Sequence, residues 1–77
     1  ELKTLVHFMA SNLIGSPDQI EVTAEQRAAM VQINLRVPES EMGKVIGREG
    51  RIARAMRTMV TIASARHNLH ARLEIDG

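Results

Sequence analysis

Between Met42 and Ala63 the apolar residues recur at helical spacing, and the recurrence is broken once, by Gly47-Arg48-Glu49-Gly50. One glycine inside a helix costs about 1 kcal/mol relative to alanine. Two glycines three positions apart, each beside a periodic stretch, end one helix and begin another. The four residues are too few to do anything except turn the chain. Whatever else the chain folds into, it must contain two helices meeting at a tight, exposed, glycine-flanked corner.

The rest of the pattern places this corner. Leu2, Leu5, Val6, Met9 and Leu13 recur at helical spacing and predict a first amphipathic helix. Gly15 is read as its left-handed cap, and Pro17 forbids continuation. Phe8, the only aromatic residue, falls nearly opposite the Val6 edge of that stripe. Ile20 and Val22 alternate with Glu21 and Thr23 as a short strand, and Ala24 to Ala28 reads as a hairpin loop. Val31, Ile33, Leu35 and Val37 alternate with Gln32, Asn34 and Arg36, a period of two that marks a half-buried strand. Pro38 ends it by lacking the ladder N–H. A short helix from Glu39 to Ile46 follows, with acidic residues in its first turn to complement the dipole. After Gly50, Ile52, Met56, Met59, Val60 and Ala63 share one face of a longer helix that stops near His67-Asn68. Leu69, Ala71, Leu73 and Ile75 alternate as a third strand. The order is α-β-β-α-α-β, an α+β class with a three-stranded sheet and helices on one face.

At 77 residues the chain is read as a single domain, residues 1–77, with a core that is marginal for its surface. With no cysteine, neither disulfides nor thiolate chemistry is available. The apolar runs are only a few residues long and Glu1-Leu2-Lys3 is mixed in charge, so neither a membrane span nor a signal peptide is expected and the expected location is cytoplasmic. His7, His67 and His70 form no ligand set with a third group nearby, and Ser11, Ser16, Ser40 and Ser64 lie in no nucleophile pattern. No catalytic residue, metal, cofactor or small-molecule substrate is expected. Gly43-Lys44 lacks the glycine spacing and the following Ser or Thr of a nucleotide-binding loop.

The net charge of +1 hides an asymmetry. Residues 1–43 carry three basic and six acidic side chains, whereas residues 44–77 carry seven basic and three acidic ones. Lys44, Arg48, Arg51, Arg54 and Arg57 surround the glycine corner. Such a cluster suits a polyanion, although a solvated helix face is an equally available reading of charge alone. Glycine lets another backbone approach closely, and the helix after Gly50 offers unpaired N–H groups to a phosphate. Gly43, one turn before Gly47, thins the side of the preceding helix. Gly47 and Gly50 both read as surface positions, where aspartate is expected to repel phosphate and spare the fold.

Met42-Gly43-Lys44-Val45-Ile46-Gly47-Arg48-Glu49-Gly50-Arg51-Ile52 resembles the KH-domain signature, and the element order resembles the type II arrangement. The run from Met42 to Thr58 is most similar to the small bacterial KH proteins of the KhpA type, and the resemblance extends over essentially the whole chain. It implies a non-enzymatic module that binds single-stranded RNA, a post-transcriptional regulator or RNA chaperone. Its loop would clamp the backbone of about four nucleotides. The implied contact set is Gly43, Lys44, Ile46, Gly47, Arg48, Glu49, Gly50, Arg51 and Arg54. Glu49 departs from the basic or neutral residue frequent there and is expected to pair with Arg48 or Arg51 or to face solvent. Val45, Ile46 and Ile52 read first as core; Leu35 and Val37 either floor the groove or fill the core. Dimers are implied too, with a second copy or with a larger KhpB-like KH partner. Thr58, Ile62 and Ala65, on the flank of the long helix, are the expected interface.

Two other functions fit parts of the pattern. A DNA-binding helix–turn–helix also joins two helices by a short turn, and Arg51, Arg54 and Arg57 could reach base edges. A protein–protein adaptor with a vestigial groove is the other. The absence of Tyr and Trp removes a wide aromatic stacking platform and fits an aliphatic groove.

Overall fold

The computed structural model describes residues 1–77 and shows the expected order: α1 (Leu2–Ser11), β1 (Glu21–Arg27), β2 (Met30–Arg36), α2 (Met42–Ile46), α3 (Arg51–Ala65) and β3 (His70–Asp76). Short 3-10 turns precede β1, α2 and α3. The sheet is mixed, in the order β1-β2-β3: β1 pairs antiparallel with β2, and β2 pairs parallel with β3. The parallel pairing follows from the connection. Two strands joined through a pair of helices can lie side by side in the same direction, whereas a hairpin forces them antiparallel.

Every second residue of β2 is buried: Val31, Ile33, Leu35, and then Val37 beyond the strand. Leu73 of β3 joins them. The alternate residues of all three strands are exposed or half-exposed and, apart from Met30, polar, so one face of the sheet carries the helices and the other is open. Val6 and Ala10 of α1, Val45 of α2, and Met56 and Val60 of α3 complete the core. Leu35 and Val37 therefore fill the core and do not floor a groove. No helix is long and apolar enough to cross a membrane.

Several local expectations change. The first helix stops at Ser11, capped at Asn12, and Gly15 has no positive φ. Ser11 Oγ and Asn12 Nδ2 both donate to the Phe8 carbonyl, at 2.9 and 2.8 Å, drawing the last turn closed before glycine is reached. The Ala24–Gln26 segment is strand, not loop; the hairpin turn is only Ala28-Ala29, with Ala28 at φ 53. On α3 the buried stripe is Ala53, Met56, Val60 and Ser64, while Met59 is 49% exposed and Ala63 only half-buried. Ser64 Oγ meets its burial by donating to the Thr61 carbonyl at 3.0 Å. Asn68, at φ 59, ends α3 as expected, and the Leu69 N–H closes back on the Ser64 carbonyl at 3.0 Å.

Candidate nucleic-acid interface

The glycine corner lies between the end of α2 and the start of α3, and its conformation explains its residues. Gly47 sits at φ 77, ψ 171, a region essentially restricted to glycine. Glu49 (φ 58, ψ 25) and Gly50 (φ 73, ψ 15) follow as two left-handed residues. Two backbone bonds close the turn: Gly47 N–H to the Gly43 carbonyl at 2.9 Å and Gly50 N–H to the Gly47 carbonyl at 3.1 Å. A Cβ on Gly47 would stand 2.7 Å from Ile52 Cγ1 and 2.9 Å from the Ile52 backbone nitrogen. Gly47 is therefore demanded by the fold, and the expectation that aspartate there spares the fold is corrected. Gly50 differs: its nearest neighbour would be Arg54 Nη1, at an ordinary 3.6 Å. A Cβ on Gly43 would meet nothing within 4 Å, so that flank of α2 is open to an approaching chain.

Gly50 is the N-cap of α3, and no side chain caps this end. The first-turn N–H groups of a helix have no intrahelical acceptor, so this end is receptive to an anion. The surrounding cations differ in how they are held. Arg48 and Arg51 are exposed and form no ion pair. Arg54 Nη1 donates to the Glu49 carbonyl at 2.8 Å, so this side chain braces the loop while keeping its charge. Lys44 Nζ is paired with Glu41 Oε1 at 2.9 Å, so its charge is already partly answered. Glu49 is exposed and pairs with neither Arg48 nor Arg51, which leaves the solvent-facing arrangement of the three expected. Val45 is buried, and Ile46 and Ile52 are half-buried beneath the loop.

Glu41 fixes this end of the molecule. Its Oε2 accepts the Gly15 N–H at 2.8 Å, joining the α1–β1 connection to the start of α2 across 26 residues. The hydrogen bond from Lys44 is the main cause that holds its carboxyl below its ordinary 4.5, with the Gly15 amide adding to it. A lowered folded-state value means the contribution is complete above the ordinary value and is lost as the pH falls through the folded one. Glu41→Gln should accordingly flatten the fall in stability below pH 4.5 and leave its shape at neutral pH unchanged. Urea melts of both proteins across the acid range check this; parallel curves would show that Glu41 is not coupled to folding.

A family model described as the KH domain of KhpA and KhpB matches residues 3–75. The chain belongs to this family.

Curated relatives agree over nearly their full lengths. The chain is 42% identical over 74 residues to a protein of Aquifex aeolicus named RNA-binding protein KhpA, covering 96% of this chain and 94% of that one. Proteins of the same name from Clostridium acetobutylicum and Halalkalibacterium halodurans are 35% and 38% identical, covering 96% of this chain and 99% and 97% of theirs. In this KhpA/KhpB-family chain the corner gathers Gly43, Lys44, Ile46, Gly47, Arg48, Glu49, Gly50, Arg51 and Arg54 into one region. Thr58, Ile62 and Ala65 lie further along α3, all exposed. Arg57, part of the basic cluster but outside the implied contact set, donates its Nε to the Leu73 carbonyl of β3 at 3.1 Å. Its position one turn after Arg54 was visible; the strand it would face was not.

Proposed function

We propose that residues 1–77 act as one KH domain that binds single-stranded RNA without catalysing a reaction, as a cytoplasmic post-transcriptional regulator or RNA chaperone. The observation that carries this reading is the uncapped start of α3 behind a Gly47–Gly50 turn, flanked by the unpaired Arg48 and Arg51. The names of the relatives support RNA as the ligand. Phosphate would lie on the loop and helix end, with Gly43 leaving room beside it. Lys44 exchanges Glu41 for phosphate or stays bound to it, so it contributes less than its charge implies.

The helix–turn–helix reading is less well supported. Here the helix pair is inserted between β2 and β3, and α2 has only five residues. One assay separates the two. Anisotropy titrations with a single-stranded RNA and a DNA duplex of the same sequence should show tighter binding of the RNA. Log affinity should fall with log salt by about 0.7 for each phosphate contacted. A preference for the duplex would overturn the reading.

The family name pairs KhpA with KhpB, and a second copy or a larger KhpB-like chain is the proposed protein partner. Ile62 is 53% exposed on α3, and Phe8 is 65% exposed on α1, the helix that packs beside it. Thr58 and Ala65 flank Ile62 on the same exposed side, with Thr58 Oγ1 donating to the Arg54 carbonyl at 3.0 Å within the helix. Ala55, Met59 and Ile62, at i, i+4 and i+7, form the more apolar stripe. Pairing through it would put two weak RNA sites on one particle and raise their joint affinity through effective concentration. Ile62→Glu should yield a folded monomer, within about 0.5 kcal/mol of wild-type stability, with weaker RNA binding. Sedimentation equilibrium on both proteins is the check; a wild type monomeric at high concentration, or a dimeric variant, removes this interface.

A further inference from the structure

Arg57 is held differently from the other basic residues of the corner. Its Nε donates to the Leu73 carbonyl at 3.1 Å. β3 is an edge strand of the sheet. The His70 N–H reaches the Ala29 carbonyl and the Asp76 carbonyl accepts from Val37, so the even-numbered residues of β3 turn their peptide groups inward. Peptide groups alternate along a strand, so those of Ala71, Leu73 and Ile75 point outward, toward α3. Arg57 anchors to this free edge. A guanidinium has five N–H donors in one plane. With Nε pinned, that plane is fixed against the strand, and the two terminal nitrogens remain with no carboxylate within ion-pair distance.

Arg57 and Thr61 of α3 line a cleft with Ala71, Arg72, Leu73 and Glu74 of β3. Arg54 and Arg57 lie on one side of α3, so Arg57 is the next basic residue along the helix from the glycine corner. Arg57 is seven residues past Gly50, about 10 Å along the axis at 1.5 Å per residue. A strand whose phosphates rest on the corner can place a base at that distance. Glu74 in the cleft wall lies 3.8 Å from Arg72 Nη2, which leaves Arg57 as the cleft's cation without a carboxylate partner. A guanidinium fork anchored at one nitrogen and free of a carboxylate is suited to a base edge, and the edge that matches it is the O6/N7 pair of guanine. In single-stranded RNA that edge is free.

We propose that Arg57 is a specificity-determining residue: anchored to the β3 edge, it reads the O6/N7 edge of a guanine in the bound single strand. The inference rests on the RNA-binding reading above and adds base choice to it.

The test uses three uridine hexamers: one with a single guanosine, one with 7-deazaguanosine in its place, and one of uridine alone. The wild type should bind the guanosine hexamer about tenfold tighter than the all-uridine one. Most of that advantage should vanish with 7-deazaguanosine, which lacks the N7 acceptor. Arg57→Met, which keeps the aliphatic stem and removes every donor, should bind all three alike. The readout is a ratio measured on one protein, so a general loosening of β3 does not imitate it. Equal binding of the three by the wild type, or discrimination retained in Arg57→Met, overturns the proposal. If the wild type binds none of the three, the RNA reading itself fails and this inference falls with it.

Discussion

Gly47→Ala should lower the thermal midpoint by about 12–24 °C, from a loss on the order of 3 kcal/mol at about 4–8 °C per kcal/mol for a domain of this size. Two causes add. The backbone at φ 77, ψ 171 lies where an L side chain is strained. The new methyl would also overlap Ile52 at both its side chain and its backbone nitrogen, the closest approach being 2.7 Å. The side chain could turn aside, but the backbone nitrogen belongs to the first turn of α3 and moves only with the helix. Relief would therefore shift α3, which packs on α1, α2 and β3. A small core leaves little reserve to absorb that. Circular-dichroism melts of both proteins check it; a fall of only a few degrees would show that the corner relaxes without moving α3.

Gly50 allows binding to be tested apart from folding. At φ 73, ψ 15 it is left-handed, a conformation that Asn and Asp adopt more readily than other residues. The nearest atom to an added Cβ is the tip of Arg54, 3.6 Å away. Gly50→Asn and Gly50→Asp should both fold, within about 1 kcal/mol of each other. They differ in one charge at the helix end where phosphate would rest. At about 4 Å two like charges near a protein surface repel by roughly 4 kcal/mol before salt screening. Gly50→Asp should therefore lose at least about tenfold in affinity for single-stranded RNA relative to Gly50→Asn. Equal affinities would move the phosphate site away from this helix end.

The parts of the fold that could be read from the sequence are those decided by local chemistry. β2 alternates cleanly and stops at Pro38, the glycine pair breaks the helices, and Asn68 ends α3 where a left-handed residue is needed. The misread parts depend on partners. Residues Thr23 to Arg27 of β1 are exposed, so no apolar pattern marks them; they are strand because β2 pairs with them. Met59 falls on the core stripe by the spacing of apolar residues alone, yet it is 49% exposed. The sheet and α1 instead select a stripe centred on Ala53, Met56, Val60 and Ser64, two of them too small or too polar to stand out.

The site divides in the same way. Its residue set was visible as a charged, glycine-flanked motif, but the duties of its members were not. Glu41 pairs locally with Lys44, but its bond from the Gly15 N–H joins residues distant in sequence. The bracing of the loop by Arg54 requires the Glu49 carbonyl to face the helix, which only the two left-handed residues bring about. That Gly47 serves the fold depends on where Ile52 lies, and that Gly50 has room beside it depends on where Arg54 lies.

The most direct test of the central claim is an amide chemical-shift titration of the protein with a short single-stranded RNA. The largest changes should fall on Gly47 to Ile52 and continue along Arg54 and Arg57 to the Leu73 edge of β3. Changes confined to the open face of the sheet, or to Phe8, Met59 and Ile62, with the Gly47–Gly50 amides unmoved, would contradict it.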